Sequence, residues 1–230
     1  MSTPSARTRT GLVVAIDGPS GSGKSSTSRG VADRLGLRYL DTGAMFRAVT
    51  WWMLRAGVDV QDAAAVAARV PELEVKSGTD PLAPTIEVGG TDVAVEIRSD
   101  EVNAAVSPVS AVPEVRAWLL ELQRAVIAEE AALGGIVVEG RDIGSVVAPD
   151  AQVKVYLTAD PAARALRRAA EEGGTDVAAT EQSLLARDKI DSGRATAPLV
   201  RADGAAHLDT THHTLDEVID QVVALVDRVA

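Results

Sequence analysis

The sequence predicts an α/β protein: a parallel sheet with helices on both faces, carrying a small antiparallel β insert. Three observations predict it. Short apolar runs alternate with helix-compatible segments along most of the 230 residues, the pattern of a parallel layered fold. The first run, Leu12-Val13-Val14-Ala15-Ile16, is apolar throughout and reads as a buried parallel strand. It leads directly into Gly18-Pro19-Ser20-Gly21-Ser22-Gly23-Lys24-Ser25, which fits G-x-x-x-x-G-K-[ST] without a mismatch, and a helix-compatible segment, Ser25 to Leu35, follows.

Taken in order, the first strand runs from about Leu12 to Asp17. In the loop after it, glycines let backbone N–H groups close around phosphates, the helix N-terminus adds positive potential and Lys24 adds a full charge. Gly18 to Ser26 is therefore the expected donor-phosphate site, with the Ser25 hydroxyl placed to serve Mg²⁺. A short strand is expected at Arg38–Leu40, then a helix from Gly43 to Ala56 stopped by Gly57. The segment from about Pro71 to Arg98 differs: Gly78, Pro81, Pro84 and Gly89-Gly90 punctuate the short alternating runs Leu73/Val75, Ile86/Val88 and Val93/Val95/Ile97. That pattern predicts a small antiparallel sheet set into the α/β chain. A long helix is expected at Pro113–Ala132 with Val115, Leu119, Leu122 and Val126 on one side, then strands at Ile136–Val138 and Val153–Leu157. Asp160-Pro161 opens a helix toward Glu172 that Gly173-Gly174 stops. A last short strand is expected near Ala206–Leu208. Thr214-Leu215-Asp216-Glu217 is a capping box, and Leu215, Val218, Ile219, Val222, Val223 and Val226 form the inward stripe of the helix behind it.

Composition narrows the function. Hydrophobic residues make up 46% of the chain but aromatics only 3%, so the core must be built of Val, Leu, Ala and Ile. There is no cysteine, hence no disulfide framework and no thiolate metal site. His207, His212 and His213 lack supporting ligands and read as solvated. A net charge of −10 argues against nucleic-acid binding, yet a local basic cleft still focuses an anionic nucleotide. No apolar run approaches the ~18 residues of a membrane span. Residues 1–10 lack the apolar core of a secretory signal and read as a disordered tail, so the expected location is the cytoplasm.

A phosphate loop alone leaves several reactions open. A GTPase needs a guanine-reading [NT]-K-x-D, and none of Lys24, Lys76, Lys154 and Lys189 has that context. Asp33-Arg34-Leu35-Gly36 matches D-x-x-G but falls inside the first helix. A small phosphotransferase remains, which must hold a second phosphorylated substrate with cations outside the loop. Arg47, Arg141, Arg187 and Arg194 are the candidates.

Four runs carry a more specific resemblance: Ile16 to Ser25; Asp41-Thr42-Gly43-Ala44-Met45-Phe46-Arg47; Glu139-Gly140-Arg141-Asp142-Ile143-Gly144-Ser145-Val146-Val147; and Arg187 to Leu199. Together they resemble the bacterial cytidylate kinase family over nearly the whole chain after residue 11. The resemblance implies a P-loop nucleoside monophosphate kinase fold: one domain over 11–230, a nucleotide-binding insert at about 62–107 and a helical lid at about 174–198. The chain is expected to act as a monomer. The resemblance implies ATP and CMP or dCMP as substrates and Mg²⁺ as the metal. By residue, it implies that Lys24 and Ser25 serve ATP and Mg²⁺, and that Arg47 and Arg141 grip the CMP phosphate while Arg194 bridges toward the transferring group. It also implies that Thr42, Arg116 and Asp142 face the cytosine, that Ser107, Arg187 and Asp191 approach the ribose, and that Asp41 lies near the phosphates. Lys24, Arg141 and Arg194 form the implied catalytic set. Two positions depart from the family pattern: Phe46 stands where tyrosine is usual, and Ile190 where some members carry a cation. Arg164, Arg167 and Arg168 fit donor-nucleotide or lid contacts as well as an ordinary charged helix face. Competing readings are a P-loop kinase for UMP or for a non-nucleotide hydroxyl, and a nucleotide-binding regulator that transfers nothing.

Overall fold

The computed structural model describes residues 9–171, 174, 176–194 and 197–229. Five parallel strands form the central sheet: β1 (Val13–Asp17), β2 (Arg38–Asp41), β6 (Ile136–Gly140), β7 (Val153–Thr158) and β8 (Ala206–Asp209), in the order β2-β6-β1-β7-β8. Consecutive residues of β1 and β6 point to opposite faces and are buried on both. Ala15, Ile136 and Val138 join one apolar cluster, whereas Val14, Ile16 and Val137 join another. That double burial is why these strands lack a polar alternation.

One face is covered by α1 (Lys24–Leu35) and α8 (Leu215–Val226), whose Val31, Val218, Ile219 and Val222 are buried against the sheet. Thr214 caps α8 as expected, with the Glu217 N–H donating to its hydroxyl and the Glu217 carboxylate accepting from its N–H. Leu215, expected in the inward stripe, is 47% exposed; it opens the helix before the first buried turn. The other face is covered by α2 (Thr42–Arg55), α4 (Asp100–Ala111) and α5 (Pro113–Leu133). The fully buried line of α5 is Val115, Leu119, Gln123, Ile127 and Ala131, with Leu122 and Val126 packed beside it. Val112 is extended before Pro113, which starts α5 and separates it from α4.

The antiparallel sheet packs on α2: β3 (Val75–Ser77), β4 (Ile86–Val88) and β5 (Thr91–Asp92), in that order. Its expected third run is corrected. Beyond Asp92 the backbone leaves the sheet and forms a 3-10 turn at Glu96–Arg98; Val93 and Ile97 are buried, but Val95 is 81% exposed. Two helices in this part of the chain are not among the expected elements. One is α3 (Ala63–Arg69), capped by the Asp62 carboxylate. The other is α4, which Ser99 caps and which contains Pro108. Pro108 removes the N–H owed to the Ala104 carbonyl, a signal that argues against a helix until packing overrides it.

α6 (Pro161–Glu171) and α7 (Val177–Ser192) form a hairpin beside the C-terminal ends of the strands. The Gly173 stop and residues 1–8 of the expected tail lie outside the described residues. Arg9 is tied down, donating to the Leu35 carbonyl at 3.1 Å and pairing with Asp227. Among the described residues, no helix is long and apolar enough to cross a membrane.

Candidate active site

The loop between β1 and α1 lies across the C-terminal end of the sheet. Gly18 is held at φ 150°, and a Cβ there would stand 2.1 Å from the Leu157 carbonyl oxygen of β7, so no side chain fits. Gly21, at φ 75°, lies under α6, where a Cβ would meet Arg164 at 3.0 Å. Four of the loop carbonyls are matched with side-chain donors. Arg141 donates to Gly18 O (3.0 Å), Lys24 Nζ to Pro19 O (2.7 Å), Arg164 to Ser20 O (3.0 Å) and the Thr210 hydroxyl to Ser22 O (3.1 Å). With these four acceptors satisfied, the loop offers less bare negative charge to an incoming phosphate. Gly23 opens α1 with no side-chain cap and the first turn carries no acid, so the positive helix end faces the cleft.

Glu139, at the end of β6, was missed as a site residue although it stands in one of the diagnostic runs. Its position at the tip of a strand neighbouring β1 was the available signal. It is 3% exposed and accepts from the Ser25 hydroxyl at 3.0 Å and from the buried Tyr39 hydroxyl on β2. Burial, then Asp41, pushes its carboxyl well above the usual range. Burial, then Arg141, pulls the Lys24 ammonium well down. Both groups are thus held closer to neutrality than in water.

Opposite the loop, side chains from α2, α4, α5, β6 and α7 converge. Arg116 and Asp142 form a buried ion pair at 2.5 Å, with Arg116 also donating to the Ser110 carbonyl and lying 5.4 Å over the Phe46 ring. Burial raises the Asp142 carboxyl, and Arg116, Arg194 and Arg141 oppose that rise. Asp191 of α7 is 1% exposed and holds two arginines: Arg141 at 3.0 Å through one oxygen and Arg194 through the other. Arg194 also donates to the Ser110 hydroxyl at 3.0 Å. Arg47 reaches Asn103 of α4 at 2.8 Å. Burial, chiefly, brings Arg47 down to about 10 and Arg187 to about 9, and neighbouring arginines add to the shift. Cations crowded in this way favour an arriving polyanion.

The two sides enclose a cleft of about 640 Å³. Ser20, Gly21, Gly23, Lys24, Ser25, Ser26, Asp41, Thr42, Phe46, Arg47, Arg116, Arg141, Asp142, Arg187, Asp191 and Arg194 all line it. Gly18, Pro19 and Ser22 are not among the lining residues. The Thr42 hydroxyl donates to the Glu139 carbonyl at 2.7 Å. Ser107 instead lines an adjoining cavity of about 740 Å³ between α4 and α7, which shares Arg187 and Arg168 with the main cleft. Arg29 and Arg98 also line the cleft; neither stands in a recognisable local motif. Of the α6 arginines, Arg164 pairs with Asp188 at 2.6 Å and Arg167 donates to Thr210, while Arg168 faces both cavities.

A phosphate loop at the tip of a parallel sheet, facing a second wall of arginines across one cleft, defines the class of P-loop phosphotransferases, which move a phosphoryl group from one bound substrate to another. A fold of this kind also occurs in a solved structure of an uncharacterized protein from Eubacterium ventriosum, with a TM-score of 0.51 at 12% identity over 94% of this chain and 98% of that one. The family model described as cytidylate kinase matches residues 14–228. Proteins named cytidylate kinase from Streptomyces avermitilis and Streptomyces griseus are each 56% identical, the matches covering 99% of this chain and 98% and 97% of theirs. The chain belongs to the cytidylate kinase family.

Proposed function

We propose that the protein transfers the γ-phosphoryl group of ATP to the phosphate of CMP or dCMP, giving ADP and CDP or dCDP. The observation that carries the reading is the two-sided cleft: a phosphate loop on one wall, and on the other the Arg116–Asp142 pair beside Arg47, Arg141 and Arg194.

The loop from Gly18 to Ser26 holds the donor phosphates, and Lys24 leaves Pro19 O to reach them. Arg47 and Arg141 hold the acceptor phosphate through guanidinium forks. Arg194 lies between the halves and balances charge on the transferring group. Asp142 accepts from the cytosine 4-amino group, where uracil presents an acceptor instead; Arg116, positioned over Phe46, serves the O2/N3 edge. Arg187 and Asp191 meet the ribose from α7, and Ser107 does so from the adjoining cavity. The segment at about 62–107 forms the acceptor-binding insert and that at about 174–198 the lid.

The donor set also fits Mg²⁺. Ser25 Oγ, Glu139 and Asp41 are hard oxygen donors at the mouth of the loop, and among the described residues no three acids or histidines gather into a complete cage. Magnesium suits such a site because it keeps waters and shares ligands with phosphates. Ser25 would hold it directly, with Glu139 and Asp41 reaching its waters; the ion would supply charge neutralisation to the phosphates.

A coupled assay with CMP, dCMP, UMP, AMP and shikimate tests the reading. CMP and dCMP are expected to be the preferred acceptors. Faster turnover of UMP than of CMP would remove Asp142 from base reading, and ATP binding with no acceptor-dependent ADP release would leave only a nucleotide-binding regulator.

A further inference from the structure

Asp17 ends β1 immediately before the phosphate loop, and the proposed chemistry does not use it. It is 3% exposed and is not among the residues lining the cleft. A carboxylate carried this far from water needs strong partners. Its two oxygens accept, at 2.8 Å each, from the backbone N–H groups of Ile143 and Gly144. These are the first N–H groups of a single π-helical turn, Ile143–Val147, which has no side-chain cap of its own. The residues just before that turn are Arg141 and Asp142. Arg141 is fastened to the same point, since it donates to the carbonyl of Gly18 at 3.0 Å.

We infer that Asp17 is a positioning residue for the acceptor substrate: its carboxylate caps the 143–147 turn from another strand and so fixes Arg141 and Asp142 relative to the phosphate loop. The geometry favours this over a merely structural carboxylate in two ways. First, the bond pattern is bidentate and points at one short segment. Register alone already joins β1 to β6, with Asp17 opposite Gly140, so the sheet does not need the carboxylate to pair these strands. Second, what the carboxylate adds begins where the strand pairing stops, beyond Gly140, at the residues that leave the sheet to enter the site. One oxygen is needed for each N–H, which is why an acid suits the position and an amide does not: in Asn the NH₂ would face one of the two donors. The resulting arrangement ties the origin of the donor loop and the origin of the acceptor clamp to one side chain, so the spacing between the two phosphate groups is set at the sheet.

The inference rests on the reading of Arg141 and Asp142 as acceptor-site groups, and the test separates the two. D17N and R141A are compared with the parent enzyme, with CMP and ATP varied in turn. A misplacement of about 1 Å at a reacting group is worth about 10²-fold in rate. D17N is therefore expected to lower kcat/KM for CMP by about that factor, and to leave KM for ATP within about 3-fold of the parent value, as removal of an acceptor-side interaction alone requires. Amide exchange of Ile143 and Gly144 is expected to quicken in D17N while that of β1 and β6 does not. R141A impaired toward CMP with D17N unimpaired would overturn the inference alone. Equal losses toward both nucleotides in D17N, or a loss toward ATP only, would also overturn it, because they would assign Asp17 to general stability or to the field at Lys24. R141A unimpaired toward CMP would overturn the acceptor reading itself, and the inference with it. If D17N does not fold, the parent protein decides: Ile143 and Gly144 amides as protected as the interior of β1 support the clasp, and exchange at loop rates overturns it.

Discussion

Asp17 and Lys24 stand at the two ends of the phosphate loop and show what burial does to a charge there. Lys24 is 7% exposed, and burial and Arg141 together favour its neutral form. Burying an ammonium costs stability, and in the proposed reaction Lys24 offsets that cost by acting on an incoming phosphate. Lys24→Met keeps the length and the apolar stem without the charge. Its expected effect is a fall in kcat of about 10²–10³-fold with a Tm no lower than the parent's; near-parent kcat would take Lys24 out of the mechanism. Asp17 carries the matching pH dependence. Its carboxyl is raised from 3.8 to about 6, first by burial and in smaller part by Asp142, against the pull of the two N–H groups and Lys24; Tyr156, its neighbour on β7, is partly buried. A raised carboxyl keeps its proton in the folded chain while the unfolded chain has lost it. Its contribution to stability is therefore complete below about pH 4 and is lost as pH rises through about 6, with a size of about 3 kcal/mol by linkage. Asn does not titrate, so the difference in unfolding free energy between the parent and D17N is expected to shift against the parent across that window. Urea titrations at pH 4, 5, 6 and 7 measure it, and a flat difference would mean that the Asp17 carboxyl is not raised.

At the scale of elements, the α6–α7 hairpin is held to the rest of the site by charged side chains rather than by apolar burial. Arg164 joins Ser20 of the loop to Asp188 of α7, and Asp191 of α7 joins Arg141, just beyond β6, to Arg194. Such contacts exchange readily for contacts to a polyanion, so the segment Arg187–Arg194 is expected to gain amide protection when ATP and CMP are both bound, and less with either alone. Equal exchange in all four states would exclude closure over the substrates. The elements also differ in how far sequence reading reaches. β1, β6, β7 and α8 were legible because apolar runs, the alternation of β7 and a capping box are local signals that tertiary packing reinforces. The phosphate loop was legible for the same reason, and the arginines proposed to hold the acceptor were picked out by the runs that contain them and line the cleft. The bend after Asp92 and helix α4 were not: Val93 and Ile97 satisfy a strand's alternation and a 3-10 turn equally, and Pro108 speaks against the helix it occupies. Nor were Glu139, Asp17 and Ser110 as parts of the site. Each acts through a partner far along the chain — Ser25, Ile143 with Gly144, and Arg194 — and pairing at such separation leaves no periodic trace.

The molecule as a whole opposes its own site in charge. The net charge is −10, so at long range the protein repels the nucleotides it handles. Inside the cleft the balance reverses: Arg29, Arg47, Arg98, Arg116, Arg141, Arg168, Arg187 and Arg194 line it with Lys24, against Asp41, Asp100, Glu139, Asp142 and Asp191. Which of the two governs encounter is a question of distance and screening. At 0.1 M salt the Debye length is about 10 Å, so charges spread over the acidic surface are muted while those a few ångströms from a bound phosphate, within low-dielectric walls, are not. The local field is therefore expected to win at physiological salt. Raising KCl from about 50 to about 500 mM is expected to lower kcat/KM for CMP several-fold, mainly through KM, because added salt weakens the cleft's attraction. The opposite sign is the informative failure. If kcat/KM rises with salt, the global charge controls encounter, and the arginines act only after the nucleotide has entered. Chloride serves here because sulfate resembles the phosphate that the loop is built to hold and would compete for it.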